Sequence, residues 1–374
     1  MKIGIITMHR VLNFGSALQA YALQQALLKL GYDNEIIDYV FPHETDVPLL
    51  MRANLFFRKK IYEMRTGAFF AKKKEGYFKA FRKQFLALSD KTYTRESILS
   101  DPPAYDLYMT GSDQVWNPLW MKDDTNFLLS FVRNKEKISY ASSFAADAIP
   151  EESKPIYKKY LQEYKHITVR ENSGEKIVKE LLGGRKAPVV CDPTLLLDQE
   201  DYIKIAKKPP LDIHGPYLLV YILDYMFNPF PEVNNIVRNV AETLGLPVVY
   251  IGGKYTVYDS HCLSIEHIGP CEFIWLFQHA KFVITTSFHG TAFATIFDKA
   301  LLAIVGDNNT NDGRVTTLMS CVGNEKAITS FTSFVNYERT KLYQFKANTL
   351  RYQKHKMMSL QQLDVMVEQA SYLQ

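Results

Sequence analysis

Four polar clusters follow apolar runs in this chain, and their residue types suit the handling of an anion. The densest is T-T-S-F-H-G-T, residues 285–291. It lies between A-K-F-V-I and A-F-A-T-I-F, so it reads as the join of a buried strand and a buried helix. Gly290 lets backbone approach a ligand, and the helix after it points free N–H groups the same way. His289, beside an anion held there, would bond it or act as an acid near neutral pH. The competing reading is a satisfied core histidine.

The other clusters extend this picture. N-F-G-S (13–16) opens a helix, where Gly15 and Ser16 offer N–H groups, or where Ser16 merely caps. In T-G-S-D-Q-V-W-N-P (110–118), Asp113 has the chemistry of a general base. Gln114 and Asn117 could bond sugar hydroxyls and Trp116 could stack on a sugar. The alternative is a self-bonded turn. In V-R-E-N-S (169–173), the guanidinium of Arg170 suits two-point binding of a carboxylate or phosphate, unless it pairs with Glu171 or another acid. Arg314, in N-D-G-R-V-T-T-L-M, follows one more apolar strand and either lines the same cleft or lies on the surface. Together these residues describe an anion site. His289 and a helix N-terminus form one wall, and Arg170 lies on the facing domain.

The elements that must position them read as α/β. The chain has 374 residues, more than one core usually organises. I-G-I-I, a polar loop, A-L-Q-A-Y-A-L-Q-Q-A-L-L-K-L-G and N-E-I-I-D-Y give strand, loop, helix, strand. In that helix Ala20, Leu23, Leu27 and Leu30 share one face. The pattern runs through an N-terminal domain at 1–206, pauses at the Pro/Gly-rich linker 207–216, and restarts in a C-terminal domain at 217–345. The segment 346–374 forms a final helix that packs back on the first domain. Two Rossmann-like domains facing across a cleft make a GT-B-like fold, with ligands outside the carboxyl ends of the strands.

Residues 52–85 break the alternation, with eleven Lys or Arg against two Glu and nine aromatics interleaved. Phe57, Ile61, Met64 and Ala68 are spaced as a helical face, as are Phe78, Phe81 and Phe85. One reading lays this stretch on an anionic membrane. The other packs it as a helical insertion on the first domain. No nucleic-acid motif accompanies it, so no nucleic-acid partner is expected. The net charge of +4 is too small to argue for one. The four cysteines form no C-x-x-C pair, so buried free thiols are expected, without a metal site. The N-terminal apolar run is too short for a signal peptide, and the expected location is cytoplasmic, or peripheral on the inner membrane face.

The motifs in order, N-F-G-S-A-L-Q-A-Y-A-L, G-S-D-Q-V-W-N, Y-A-S-S-F, V-R-E-N-S, C-D-P-T-L-L-L, T-S-F-H-G-T-A-F and the Gly313-Arg314 segment, resemble the polysaccharide pyruvyl transferase family. The resemblance implies transfer of pyruvate from phosphoenolpyruvate onto two hydroxyls of a sugar, giving a cyclic ketal and phosphate. It implies no metal or cofactor, and a role in bacterial capsule or exopolysaccharide synthesis. It assigns donor binding to Arg170 and to Ser287, Phe288 and His289, with Gly290 and Arg314 added from the reading of the residues above. His289 is the expected acid and Asp113 the base. Asn13, Gly15, Ser16, Gln114, Trp116 and Asn117 are left for the sugar acceptor, which is lipid-linked in one reading. Family members carry an arginine two residues before the histidine, where this chain has Ser287. A glycosyltransferase using a nucleotide sugar is the alternative on the same fold.

Overall fold

The computed structural model describes residues 1–41, 68–121, 124–224, 227–252, 262–307 and 313–371. The first sheet is parallel, ordered β3-β2-β1-β4-β5-β6. Its strands are β1 (Lys2–Ile6), β2 (Asp33–Tyr39), β3 (Leu88–Tyr93), β4 (Leu107–Thr110), β5 (Lys137–Ser142) and β6 (His166–Val169). The second sheet, ordered β12-β11-β10-β7-β8-β9, repeats the same winding. It contains β7 (Leu218–Tyr221), β8 (Val248–Ile251), β9 (Cys262–Ile265), β10 (Phe282–Thr285), β11 (Ala300–Ile304) and β12 (Ile328–Thr329). Central strands such as L-L-V-Y, F-V-I-T and A-L-L-A-I are buried along their whole length. That suits parallel strands covered on both faces. Strand order reverses between β1 and β4 and again between β7 and β10. Those two switch points are where loops diverge and a crevice opens.

The helices of eight residues or more are α1 (Phe14–Lys29), α2 (Ala68–Phe85), α3 (Lys154–Leu161), α4 (Asn172–Leu181), α5 (Glu232–Leu244), α6 (Pro270–His279), α7 (Phe288–Ile296), α8 (Gly313–Val322) and α9 (Thr349–Ser371). The expectation of a single apolar face on α1 is incomplete. Nearly every residue from Phe14 to Leu27 is buried, because α1 is enclosed by its own sheet, α2, α6, α7 and the turn Pro193–Leu196. Its Phe14 ring stacks on Phe273 of α6 at 4.6 Å and meets Phe78 of α2 at 5.4 Å. An aromatic seam thus joins the two domains below the cleft.

The basic stretch is only partly described; Phe57, Ile61 and Met64 lie outside the described residues. In α2, Phe78 and Phe81 are buried against α1 and α6 rather than free for a lipid surface. Burial also lowers the pKa of Lys74, whose ammonium lies over the Phe14 and Phe78 rings. The aromatic spacing of this helix therefore serves the domain junction. No described helix is long and apolar enough to cross a membrane.

Residues 207–216 run without regular structure between the two sheets. Helix α9 lies against the first domain. Ser359 accepts from the Cys191 N–H at 2.9 Å, Tyr352 donates to the Leu195 carbonyl at 3.1 Å, and Lys356 pairs with Asp198 at 2.6 Å. All four cysteines are free, and Cys191 is buried with its pKa pushed up to about 12 by desolvation.

Candidate active site

A cavity of about 280 Å³ opens where the carboxyl ends of the two sheets face each other. From the first domain it takes Met8, Val11 and Asn13 after β1, Ser16 on α1, Phe41 after β2, and Asp113, Gln114 and Trp120 after β4. From the second it takes Leu223 after β7, Ser287, Phe288 and His289 after β10, and Arg314 at the start of α8.

The first wall is held by polar ties. Asn13 caps α1, its side-chain oxygen accepting from the Gly15 and Ser16 N–H groups at 2.8 and 3.3 Å. The Thr7 hydroxyl donates to the Ser112 carbonyl at 2.9 Å, linking the loops after β1 and β4. His9 and Arg10 both bond Asp38, at 2.9 Å and at 2.6–2.8 Å. Partial burial would raise the Asp38 pKa, but these two partners and Thr92 hold it well below the usual carboxylate range. Asp113 has left-handed backbone, φ 78°, which an aspartate tolerates better than most residues. Its Oδ1 accepts from the Gln114 N–H at 2.9 Å, and its Oδ2 accepts from the Ser16 hydroxyl.

The second wall is a helix N-terminus. Ser287 caps α7, its Oγ accepting from the Gly290 N–H at 3.3 Å. Gly290 is needed for packing: a Cβ there would come within 2.3 Å of Thr285 Oγ1. Across the cleft, a Cβ on Gly15 would come within 1.9 Å of His289 Nδ1, so the imidazole lies directly on that glycine. Arg314 is in the first turn of α8, buried, with its Nε unpartnered. The Asn172 N–H at the start of α4 donates to Thr317 on α8 at 3.4 Å, bracing the two domains beside the cavity. Two helix N-termini with a histidine and an arginine make one side of the cavity receptive to negative charge. The opposite side offers a carboxylate.

A family model for polysaccharide pyruvyl transferases matches residues 13–308. The chain belongs to the polysaccharide pyruvyl transferase family. It is therefore a transferase, and the matched span contains every cavity-lining residue except Met8, Val11 and Arg314. No curated protein matches the sequence. Among solved structures, S. aureus MnaA in complex with UDP is 12% identical, covering 95% of this chain and 91% of that one with a TM-score of 0.51. UDP-GlcNAc 2-epimerase of Methanocaldococcus jannaschii is 15% identical over 92% of this chain and 91% of that one, TM-score 0.49. E. coli heptosyltransferase WaaC with ADP is 13% identical over 92% and 98%, TM-score 0.44. At such identity the likeness concerns the fold alone, two Rossmann-like domains in a GT-B-like arrangement.

Four family-based or motif-based assignments differ in the structure. Arg170 does not reach the cavity. Its side chain is fully buried behind Phe288, with the guanidinium carbon 4.5 Å from that ring, and it bonds Asp192 at 2.8 Å. Burial opposes its charge, but Asp192, then Asp113 at 3.8 Å and Glu171 at 3.9 Å, outweigh that and raise its pKa. The ion pair is the reading that holds, with Asp192 rather than Glu171 as the close partner. Trp116 is 0% exposed; its indole N–H donates to the Phe127 carbonyl and its ring packs on Phe144 and Tyr164. It has no face for a sugar. Trp120, 49% exposed and tied by its N–H to Gln114 Oε1 at 3.0 Å, lines the cavity instead. Asn117 is a turn-former, bonding Gln114 at 2.8 Å and accepting from the Leu119 N–H at 2.9 Å. Ser16 is likewise not the cap of α1; Asn13 is, and Ser16 bonds Asp113.

The residue that sequence reasoning missed is Asp192. Its signal was a lone carboxylate in C-D-P-T, set between V-V and an apolar run. Burial would raise its pKa, but the charges of His289 and Arg170 and the Arg170 hydrogen bond hold it well below the carboxylate range.

Proposed function

We propose that this enzyme moves pyruvate from phosphoenolpyruvate onto two hydroxyls of a sugar, forming a cyclic ketal in the synthesis of a bacterial surface polysaccharide. The observation that carries this reading is the pairing of His289 and Arg314, at two helix N-termini, with Asp113 across a cavity of about 280 Å³. Phosphoenolpyruvate is small and densely anionic, and Arg314 with the N-terminal N–H groups of α7 and α8 suits its carboxylate and phosphate. Ser287, where relatives carry arginine, supplies a cap rather than a charge, so Arg314 takes over that contact.

His289 gives a proton to the methylene carbon of the donor. The neighbouring carbon becomes an oxocarbenium-like electrophile stabilised by its ester oxygen. A first acceptor hydroxyl adds there and loses its proton to Asp113. Phosphate then leaves with the C–O bonding pair, and the second hydroxyl closes the ring while its proton leaves with the phosphate. Asp113 accepts from the Ser16 hydroxyl, a contact that supports a hydroxyl-facing role for this carboxylate. The acceptor stacks on Trp120 and bonds Gln114.

The test is a thermal-shift and phosphate-release assay with phosphoenolpyruvate, with UDP and a UDP-sugar as controls. A ligand at 100 times its Kd adds about 2.7 kcal/mol of stability. Stabilisation by phosphoenolpyruvate that is lost in Arg314→Ala supports the reading. Stabilisation by the nucleotides alone sinks it and favours a nucleotide-sugar glycosyltransferase.

A further inference from the structure

His289 has one ring nitrogen that its surroundings nearly dictate. Nε2 is buried and has no hydrogen-bond partner within bonding distance. The nearest acceptor is Asp192 Oδ2, 3.6 Å away. Asp192 is itself fixed. Its Oδ1 accepts from the Thr194 N–H at 3.0 Å and the Thr194 hydroxyl at 2.7 Å, and its Oδ2 from Arg170 at 2.8 Å and Ser112 at 3.0 Å. Four donors from three elements thus aim one carboxylate oxygen at the imidazole. The opposite nitrogen, Nδ1, lies over Gly15 on the side of the facing domain. The other charged groups at the site are Arg170 behind Phe288, and Asp113 and Arg314 on the cavity wall.

We propose that Asp192 is the positioning residue for His289, keeping a proton on Nε2 and leaving Nδ1 as the nitrogen that exchanges protons with the substrate. The kinetic part of this proposal rests on the pyruvyl-transfer reading; the tautomer does not. In the reaction the proton on Nδ1 passes to the methylene carbon of the donor. The ring is left neutral with its remaining proton toward Asp192. One of the two protons released by the acceptor hydroxyls restores Nδ1–H, and the other leaves with phosphate or solvent. The 3.6 Å separation shortens when the donor seats, as hydrogen bonds of catalytic groups commonly tighten in the bound complex. Arg170 then has a role that needs no contact with the donor, since it keeps Asp192 ionised and in place.

The experiment uses the full chain labelled with 15N-histidine, and long-range proton–nitrogen NMR without substrate. The His289 signals are assigned by their absence in His289→Asn. The expected result is a proton held on Nε2 of His289 in the wild type, with the ring signals displaced toward a tautomer mixture in Asp192→Asn. In turnover with phosphoenolpyruvate, Asp192→Asn lowers kcat roughly 10²-fold with donor KM little changed, and costs nothing further in a His289→Asn background. An Nδ1–H tautomer in the wild type overturns the proposal. So do unchanged His289 signals in Asp192→Asn, or kinetic costs that multiply in the double variant. If Asp192→Asn fails to fold because Arg170 loses its partner, Asp192→Asn/Arg170→Gln removes both charges, and the same NMR readout decides. Absence of any turnover with phosphoenolpyruvate sinks the donor assignment and leaves the tautomer result standing.

Discussion

Replacing Gly15 by alanine tests the closed geometry of the cleft with one methyl group. The added Cβ would sit 1.9, 2.2 and 2.5 Å from Nδ1, Cγ and Cε1 of His289. Ordinary contact begins near 3.4 Å, so the imidazole must retreat by about 1.5 Å or the domains must part by a similar amount. The ring cannot simply rotate away, because Nε2 faces Asp192 and Phe288 packs edge-on at 5.1 Å. A misplacement of about 1 Å in a catalytic group can cost roughly 10² in rate. Meanwhile position 15 is in a helix, where alanine is better than glycine by about 1 kcal/mol. That gain offsets part of the strain, so the fold should survive. The expected signature is kcat for ketal formation down by about 10²-fold, with Tm within a few degrees of wild type. In a His289→Ala background the same change should cost almost nothing. Gly15→Ala with turnover within threefold of wild type would refute the claim that His289 works from this position.

Other substitutions probe separate parts of the site. Asp113→Asn should lower kcat by roughly 10² to 10⁴ while the thermal shift with phosphoenolpyruvate persists; loss of the shift instead would make Asp113 a binding residue. Trp120→Ala should raise acceptor KM roughly tenfold, equivalent to about 1.4 kcal/mol, without moving donor KM. Trp116→Ala should instead destabilise by about 3–5 kcal/mol in urea melts, as loss of a buried aromatic does. The folded-state pKa values of Asp38 and Asp192 lie well below the ordinary aspartate value. Their contribution to stability is therefore complete above about pH 3.8 and is lost as pH falls through the folded values. Tm should drop as pH falls below about 4, and Asp38→Asn should flatten that slope; an unchanged slope would show that Asp38 is not responsible.

Much of the fold could be read from the chain because its central strands are apolar on both faces and its loops are polar. The sheet edges could not. β3, with L-S-D-K-T-Y, is mostly polar, β9 is four residues long and β12 two, so none carries a periodicity to detect. The same clusters that gave the site also misassigned side chains within it, for a physical reason. Motif spacing places a turn at the end of a strand but does not say which residues of the turn face out. The left-handed backbone at Asp113 breaks the alternation there, leaving Asp113 and Gln114 on the cavity while Trp116 enters the core. Trp120, one short helical turn later, takes the exposed place.

Arg170 and Asp192 show the limit more sharply. They are 22 residues apart, and nothing local in V-R-E-N-S or C-D-P-T announces the pairing. The sheet brings them together: Val169 ends β6 and bridges to Val189, which places the two segments side by side behind the β10–α7 turn. An arginine in such a place is charged and buried at once, which is tolerable only with a carboxylate against it. That carboxylate, once fixed, has a free flank, and His289 is the group the C-terminal domain presents to it. Arg170→Lys should therefore hurt more than its retained charge suggests. An ammonium cannot hold Asp192 while also spanning toward Asp113 and Glu171. Turnover should fall with little change in donor affinity measured by thermal shift. A variant that instead loses phosphoenolpyruvate binding at unchanged kcat would put Arg170 back in contact with the donor, and the closed arrangement of Phe288 over it would have to open during the reaction.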